Sequence, residues 1–273
     1  MRSVLITGAS SGIGLQAALT LKARGWRVLV TARKAEDLHR LRDTHGLEPL
    51  FLELADEPSV AACAEQALAL TGGNLYGLFN NAAFGQLGAV EDIPAAVLRH
   101  QFEVNVIGGH ELTRRILPAM LHNKRGRIVQ CSSVLGLVSG PYRGAYSASK
   151  FALEALSDAL RIELDGTGVA VSLIEPGPIR TSFLANALTA FESAFDIQAS
   201  RHAERYRTRI AALRAGGATA FKLEPEAVAR KVVDALESAR PKPRYFVTLP
   251  TYQADVLRRI LPTRLLDRVM AGN

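Results

Sequence analysis

A tyrosine and a lysine stand four residues apart in "GAYSASKFAL" (144–153), a stretch with helical periodicity. Residues i and i+4 share one face of a helix, so Tyr146 and Lys150 would lie one above the other. Two readings compete for such a pair. A solvated lysine beside a half-buried tyrosine does no chemistry, and Y-x-x-x-K arises often by accident. A pair inside a site would move protons: a free phenol titrates at about 10, and an ammonium one turn away favours the phenolate. The rest of the chain has to decide between them.

A second constellation lies near the N-terminus. "LITGASSGIGLQAAL" (5–19) places Gly8, Gly12 and Gly14 between an apolar strand and a helix. Glycines there permit a tight turn and close backbone approach to a pyrophosphate, which the free N–H groups of the helix start would bind. The spacing is G-x-x-x-G-x-G rather than G-x-G-x-x-G, but the strand–loop–helix setting is the required one. At the end of the second strand a carboxylate would bind the ribose of NAD and repel a 2′-phosphate. The sequence there reads "TARK": Ala32 replaces the acid and Arg33 follows it. Arginine presents a planar fork of donors suited to phosphate, with Ser10 and Ser11 as nearby hydroxyl donors. NADP(H) is the expected cofactor.

Strand and helix signals alternate around these residues. Strands are expected at 3–6, 26–32, 48–54, 75–82, 126–133 and 168–177, with a last one before Val247. Helical periodicity covers 12–25, 34–45, 58–70, most of 94–122, and 146–165. Such alternation implies parallel strands joined by right-handed helical crossovers. The strands are mostly continuous apolar runs, as in a sheet covered on both faces. The expected fold is a single-domain, Rossmann-type, doubly wound α/β sheet of about seven parallel strands with helices on both faces.

The 273 residues, 48% hydrophobic and 22% charged, suit one large globular domain. A net charge of +7, from 33 basic and 26 acidic residues, favours anionic partners without choosing among them. The basic residues are scattered and form no interleaved basic–aromatic platform, so nucleic acid is not an expected partner. Cys63 and Cys131 have no CxxC spacing and read as buried thiols in a reducing cytoplasm. The six histidines have no metal-ligand spacing, and no metal is expected. The start of the chain leaves no room for a signal peptide, and no apolar run reaches membrane-spanning length.

Taken in order, "TGASSGIG" (7–14), "NNAA" (80–83), Asn105 in "FEVNVIGG", "CSS" ending at Ser133, "YSASK" (146–150) and "EPGPIRT" (175–181) form a specific set. The chain resembles the short-chain dehydrogenase/reductase family over about residues 1 to 185. The resemblance implies that Ser133, Tyr146 and Lys150 are catalytic, with Asn105 as a fourth member. Tyr146 would exchange a proton with the reacting oxygen, and Ser133 would hydrogen-bond that oxygen. Lys150 would also hold the nicotinamide ribose, and Asn105 would support a water-linked proton path. Further implied cofactor contacts are Ile13, Glu53, Leu54, Asn81 and Ala82, with Pro176, Gly177, Ile179 and Thr181 beside the nicotinamide. Two positions depart from the family pattern: Ala83 ends the N-N-A-G motif, and Glu53 replaces an aspartate.

The family pattern fades after residues 1–181, the expected cofactor-binding and catalytic core. Residues 182–223 are expected to form a substrate lid region and 248–273 a C-terminal helical extension. "SFLANALTAFESAFD" (182–196) is apolar and aromatic, and reads equally as a lid over a hydrophobic pocket or as ordinary core. Phe183 and Phe191, with Ser133 and Tyr146, are the candidate pocket residues. "YQADVLRRILPTRLLDRVM" (252–270) is amphipathic and basic, broken by Pro262. It could lie on an anionic membrane, cover the protein's own pocket or meet another subunit. The tail is similar to the branch holding 17β-hydroxysteroid and retinol dehydrogenases and bacterial NADP-dependent aldehyde reductases.

The expected activity is NADP(H)-dependent interconversion of a hydrophobic aldehyde or ketone and its alcohol, by a cytoplasmic homo-oligomer, with peripheral membrane contact open. A catalytically silent NADP(H) sensor or scaffold on the same fold is the alternative.

Overall fold

The computed structural model describes residues 1–215 and 220–272. Part of the expected lid region, 216–219, and the last residue of the expected C-terminal extension lie outside the described residues.

Seven parallel strands form one sheet: β1 (Ser3–Ile6), β2 (Arg27–Ala32), β3 (Glu48–Phe51), β4 (Gly77–Asn80), β5 (Gly126–Cys131), β6 (Val169–Glu175) and β7 (Arg244–Phe246). Their spatial order is β3-β2-β1-β4-β5-β6-β7. The helices between them are α1 (Gly12–Ala23), α2 (Ala35–Asp43), α3 (Glu57–Leu70), α4 (Ala95–Phe102), α5 (Gly108–His122) and α6 (Gly144–Glu163). After β6 come α7 (Phe183–Ala194), α8 (Ala203–Arg214) and α9 (Pro225–Glu237), and after β7 come α10 (Leu249–Ile260) and α11 (Thr263–Ala271). This is the expected doubly wound fold.

Successive strand residues point to opposite faces, and each face has its own core. Val4, Ile6, Val28, Val30, Phe79 and Val129 meet Leu21 of α1, Leu41 of α2 and Val232 of α9 on one face. Leu5, Leu29, Leu78 and Ile128 meet Val60 and Cys63 of α3 and Leu112 and Ile116 of α5 on the other. Because both faces are covered, neither strand parity can be polar, which is why the strands read as apolar runs. Fully burying each such side chain contributes about 1.5–3 kcal/mol.

Local signals set several helix ends. Asp56 caps α3 by accepting from Ser59 N–H at 3.2 Å, with Pro58 in the first turn, a cap of about 1 kcal/mol. Pro225 opens α9, where its missing N–H costs nothing.

The structure corrects three details. The third strand ends at Phe51 rather than 54, because its neighbour β2 ends at Ala32 and offers only one further acceptor, to Leu52 N–H. The segment 94–122 is two helices joined by a π-helical turn, Glu103–Ile107, which holds Asn105. Helix α8, which has no apolar periodicity strong enough to read from sequence, packs on α7.

The strand order reverses at β1, with β2 on one side and β4 on the other. Connections leaving β1 and β4 therefore part to opposite faces and open a crevice at the strands' C-terminal ends. Every motif of the sequence reading reaches that edge of the sheet.

Candidate active site

Gly8 follows β1 with φ +66°, and Gly12 opens α1 with φ +56°, conformations that side chains rarely adopt. A Cβ on Gly8 would stand 2.8 Å from Ala82 Cα, and one on Gly14 would stand 2.4 Å from the Gly8 carbonyl oxygen. Both glycines are thus fixed by close packing within the protein itself. Asn81 secures the loop from β4: its Nδ2 donates to the Thr7 and Gly8 carbonyls at 3.0 and 3.1 Å. The Thr7 hydroxyl in turn accepts from the Asn81 and Ala82 N–H groups at 2.9 Å.

The start of α1 is left open for an anion. Ser11 takes the N-cap position but makes no side-chain cap bond, and the first turn carries no acidic residue. Free N–H groups and the positive end of the helix dipole therefore face the crevice. The loop after β6 closes over the same point, with Thr181 against Gly12 and the Ser182 hydroxyl 3.1 Å from that of Ser11. Pro176 accepts from Val134 N–H at 2.8 Å, tying this loop to the one after β5. Gly177 packs against Thr248, and Ile179 bridges to Leu223. Ile13 packs into the core beneath the glycine loop. These residues fit a dinucleotide.

Arg33 leaves β2 into solvent beside the glycine loop, its side chain 66% exposed, with Glu53 Oε2 3.6 Å from its Nη1. Glu53 also accepts from Ala55 N–H at 3.3 Å. Its carboxylate serves this loop and Arg33, while Leu54 is buried behind it. Sequence reading missed Arg40. One turn into α2, it donates from Nη2 to the Ser10 carbonyl at 2.7 Å and to Asp37 at 2.6 Å. A second guanidinium thus stands at the glycine loop, seven residues beyond Arg33, where only the fold makes it a neighbour.

Ser133 follows β5 in extended conformation and caps a short turn, its hydroxyl accepting from Leu135 N–H at 3.1 Å. Tyr146 and Lys150 lie on one face of α6, both buried, with the Lys150 nitrogen 5.7 Å from the Tyr146 ring centroid. Lys150 Nζ donates to the Cys131 carbonyl at 2.7 Å, which fixes α6 against the end of β5. At 3% exposed, Lys150 is not the solvated surface lysine of the bland reading. Burial holds its ammonium below the ordinary lysine value. Burial likewise raises the Tyr146 phenol above its ordinary value, and the neighbouring Ser133 hydroxyl opposes that rise. The sequence argument counted the lysine charge and not desolvation, and desolvation dominates here.

Asn105 is held in the π turn, an irregularity often found at functional positions. Its side chain exchanges hydrogen bonds with the backbone of Phe84 at 2.9 and 3.0 Å and donates to the Ser149 hydroxyl at 3.2 Å. Ser149 in turn donates to the Tyr146 carbonyl at 2.7 Å. Asn105 therefore joins α6 to the loop after β4. A small cavity lined by Thr7, Asn80, Asn105, Gln130 and Lys150 lies between them. Asn80 Oδ1 and Gln130 Oε1 in its wall have no hydrogen-bond partner among the described residues.

The two phenylalanines proposed for the pocket part company. Phe183 meets the Tyr146 ring at a tilt of 59°, centroids 5.5 Å apart, and packs against Gly85. Phe191 is 3% exposed and belongs to a satellite cluster with Ala89 and Tyr206, its ring 5.0 Å from that of Tyr206. Tyr206 of α8 locks this cluster to the loop after β4, donating to Asp92 at 2.5 Å and accepting from Ala89 N–H at 2.7 Å.

Comparison with known proteins identifies the family and the fold. The family described as short chain dehydrogenase matches residues 2–191. An Escherichia coli K12 protein called uncharacterized oxidoreductase YbbO is 48% identical over 99% of this chain and 94% of its own length. The NADPH-dependent 3-dehydrocapnine reductase of Ornithobacterium rhinotracheale is 33% identical over 98% of this chain and 96% of its own. Among solved structures, a short-chain dehydrogenase from Streptomyces avermitilis superposes with a TM-score of 0.80 at 32% identity, covering 93% of this chain and 90% of that one.

Proposed function

The chain belongs to the short-chain dehydrogenase family of oxidoreductases, and from that premise we propose that it reduces a hydrophobic aldehyde or ketone with NADPH, and runs the reverse reaction with NADP+. The observation that carries this reading is the buried Tyr146–Lys150 pair beside Ser133, at the mouth of the glycine loop.

The glycine loop and the start of α1 would hold the pyrophosphate, and Arg33 with Arg40 the 2′-phosphate. Ala32, in place of an acid, removes the carboxylate that would repel that phosphate from the end of β2, and leaves Glu53 beside Arg33 and Asp37 on Arg40 as the acids nearby. The NADPH dependence in the name of the Ornithobacterium relative supports the same choice. Lys150 would hold the nicotinamide ribose, and Ile179 and Thr181 would flank the ring. Bound NADPH supplies the hydride; the protein handles the proton.

With its pKa raised by burial, the Tyr146 phenol is protonated near neutrality. That is the form needed to protonate the carbonyl oxygen as hydride arrives. Ser133 donates to the same oxygen and stabilises the developing negative charge. The Lys150 ammonium stabilises the phenolate left behind, and the polar cavity beyond it, with Asn105, offers a route for reprotonation. Phe183 covers the Tyr146 ring and gives the pocket an apolar wall. This intact set favours turnover over a silent sensor.

Two further points belong to this reading. The exposed face of α6 carries Ala148, Phe151, Ala155, Ala159 and Ile162, small and apolar residues suited to close packing against a second copy. Both cysteines are unpaired, as expected of a protein in a reducing cytoplasm, and burial pushes the Cys63 thiol up to about 12, which leaves it unreactive. The test is NADPH consumption against aliphatic, aromatic, steroid and retinoid carbonyls. Turnover of the hydrophobic members with NADPH, and poorly with NADH, is expected; no turnover of any member despite tight NADPH binding would favour the sensor.

A further inference from the structure

Helix α10 is amphipathic in an unusual sense. Thr251 and Ala254 are buried against the protein. The opposite side is also apolar: Leu249, Tyr252, Val256 and Ile260 are between 49 and 66% exposed. At 100° per residue these four fall within about 80° of one another, a single stripe along the helix. Pro262 then turns the chain into α11, none of whose residues is buried, and the apolar exposure continues at Leu265. A helix of nine residues has little stability of its own, so an apolar face of this kind calls for a covering surface.

Charge tells which surface. At the end of α10 Arg259 flanks the stripe while Arg258 lies on the opposite side, and Arg264 and Arg268 stand exposed on α11 together with one acid, Asp267. Asp255 takes both Arg258 and Arg259, at 3.1 and 3.2 Å, and so offsets only part of that charge. A second copy placed face to face would bring these arginines together, whereas the alanine-rich face of α6 has no such penalty. An apolar stripe edged by arginines, on a chain with net charge +7, is complementary to an acidic lipid surface. We propose that α10 and α11 together form a peripheral docking surface for anionic phospholipid bilayers, with the apolar stripe entering the headgroup boundary and the arginines meeting lipid phosphates.

The test is co-flotation of the full-length protein with vesicles of phosphatidylcholine alone, or mixed equally with phosphatidylglycerol. Binding to the mixed vesicles should exceed that to phosphatidylcholine by roughly tenfold or more and weaken with added salt, since surface charge attraction is screened. Ile260→Glu and Leu265→Glu should each lower the bound fraction severalfold, and Arg264→Glu with Arg268→Glu should remove the preference for phosphatidylglycerol. Melting temperature and NADPH binding of the variants verify that they fold. No flotation of the parent protein, or equal flotation of parent and Ile260→Glu, would overturn the proposal. So would a dimer that Ile260→Glu dissociates without any vesicle binding, which would assign the stripe to a second copy.

Discussion

The Lys150 nitrogen lies 5.7 Å from the centroid of the Tyr146 ring, with both side chains buried and the ammonium tied to the Cys131 carbonyl. The lysine is therefore placed to respond to charge on the phenol without forming a direct ion pair with it. Burial raises the Tyr146 pKa, so the acid form persists to alkaline pH. Reduction, which needs the phenol, should hold its rate between about pH 7 and about pH 10, while alcohol oxidation, which needs the phenolate, should rise across that range without levelling off. Initial rates in the two directions across that range check this. Lys150→Met removes the charge that stabilises the phenolate and should shift the oxidation profile to higher pH.

The proposed preference for NADPH rests on the basic residues at the glycine loop. Arg33→Ala should weaken NADPH by about 1.5–3 kcal/mol, the scale of a hydrogen bond to a charged group, and leave NADH nearly unchanged. Arg40→Ala should act in the same direction. Its loss should be smaller, because Asp37 already takes part of that guanidinium's charge. Fluorescence titration of both cofactors measures the difference, and equal losses for NADPH and NADH would refute the assignment.

The segment 182–196 divides residue by residue between the two readings of the sequence. Phe183 meets the Tyr146 ring, so Phe183→Ala should flatten the dependence of KM on aldehyde chain length, where each buried methylene contributes about 0.8 kcal/mol. Phe191 is core, so Phe191→Ala should cost about 3–5 kcal/mol of stability and leave that dependence alone. Melting curves and an aldehyde series on both variants separate the two effects.

Behind the site, Arg244 of β7 gathers three carboxylates. It bonds Glu154 and, at 2.5 Å, Asp158, both on α6, and Glu175 at the end of β6 at 3.0 Å. Burial, then the neighbouring Glu154, pushes the Glu175 carboxyl up to about 8 from an ordinary 4.5. The folded state thus favours the protonated form. Its contribution to stability is fully present below the unfolded value of 4.5 and is lost as pH rises through about 8. The melting temperature should accordingly fall between about pH 5 and about pH 9, and Glu175→Gln should flatten that fall. Arg244→Met would strand buried carboxylates and should destabilise the protein by about 3–5 kcal/mol.

Much of the site was legible because its chemistry resides in residue type and short spacing. Gly8, Gly12 and Gly14 sit in one turn, and Tyr146 and Lys150 on one helical face, so local geometry alone brings each set together. The apolar strands were legible because a sheet covered on both faces tolerates no polar alternation. What escaped depends on contacts between distant segments. Arg40 reaches the Ser10 carbonyl only because α2 folds back along the glycine loop. Arg244 meets Glu154 across 90 positions, and Tyr206 meets Ala89 across 117. The π turn at Asn105 leaves no mark in apolar periodicity, and the separate fates of Phe183 and Phe191 are decided by which neighbour each ring finds.

Tyr146→Phe offers the most direct test of the proposed chemistry, because it deletes one oxygen and leaves the ring against Phe183. Turnover of a reducible aldehyde and the NADPH dissociation constant should be measured on the same preparation. The expected result is a rate reduced by roughly 10²–10⁴-fold or more, the scale of a lost general acid, with NADPH binding within a small factor of the parent. A variant that retained turnover close to the parent's would contradict a proton donated by Tyr146.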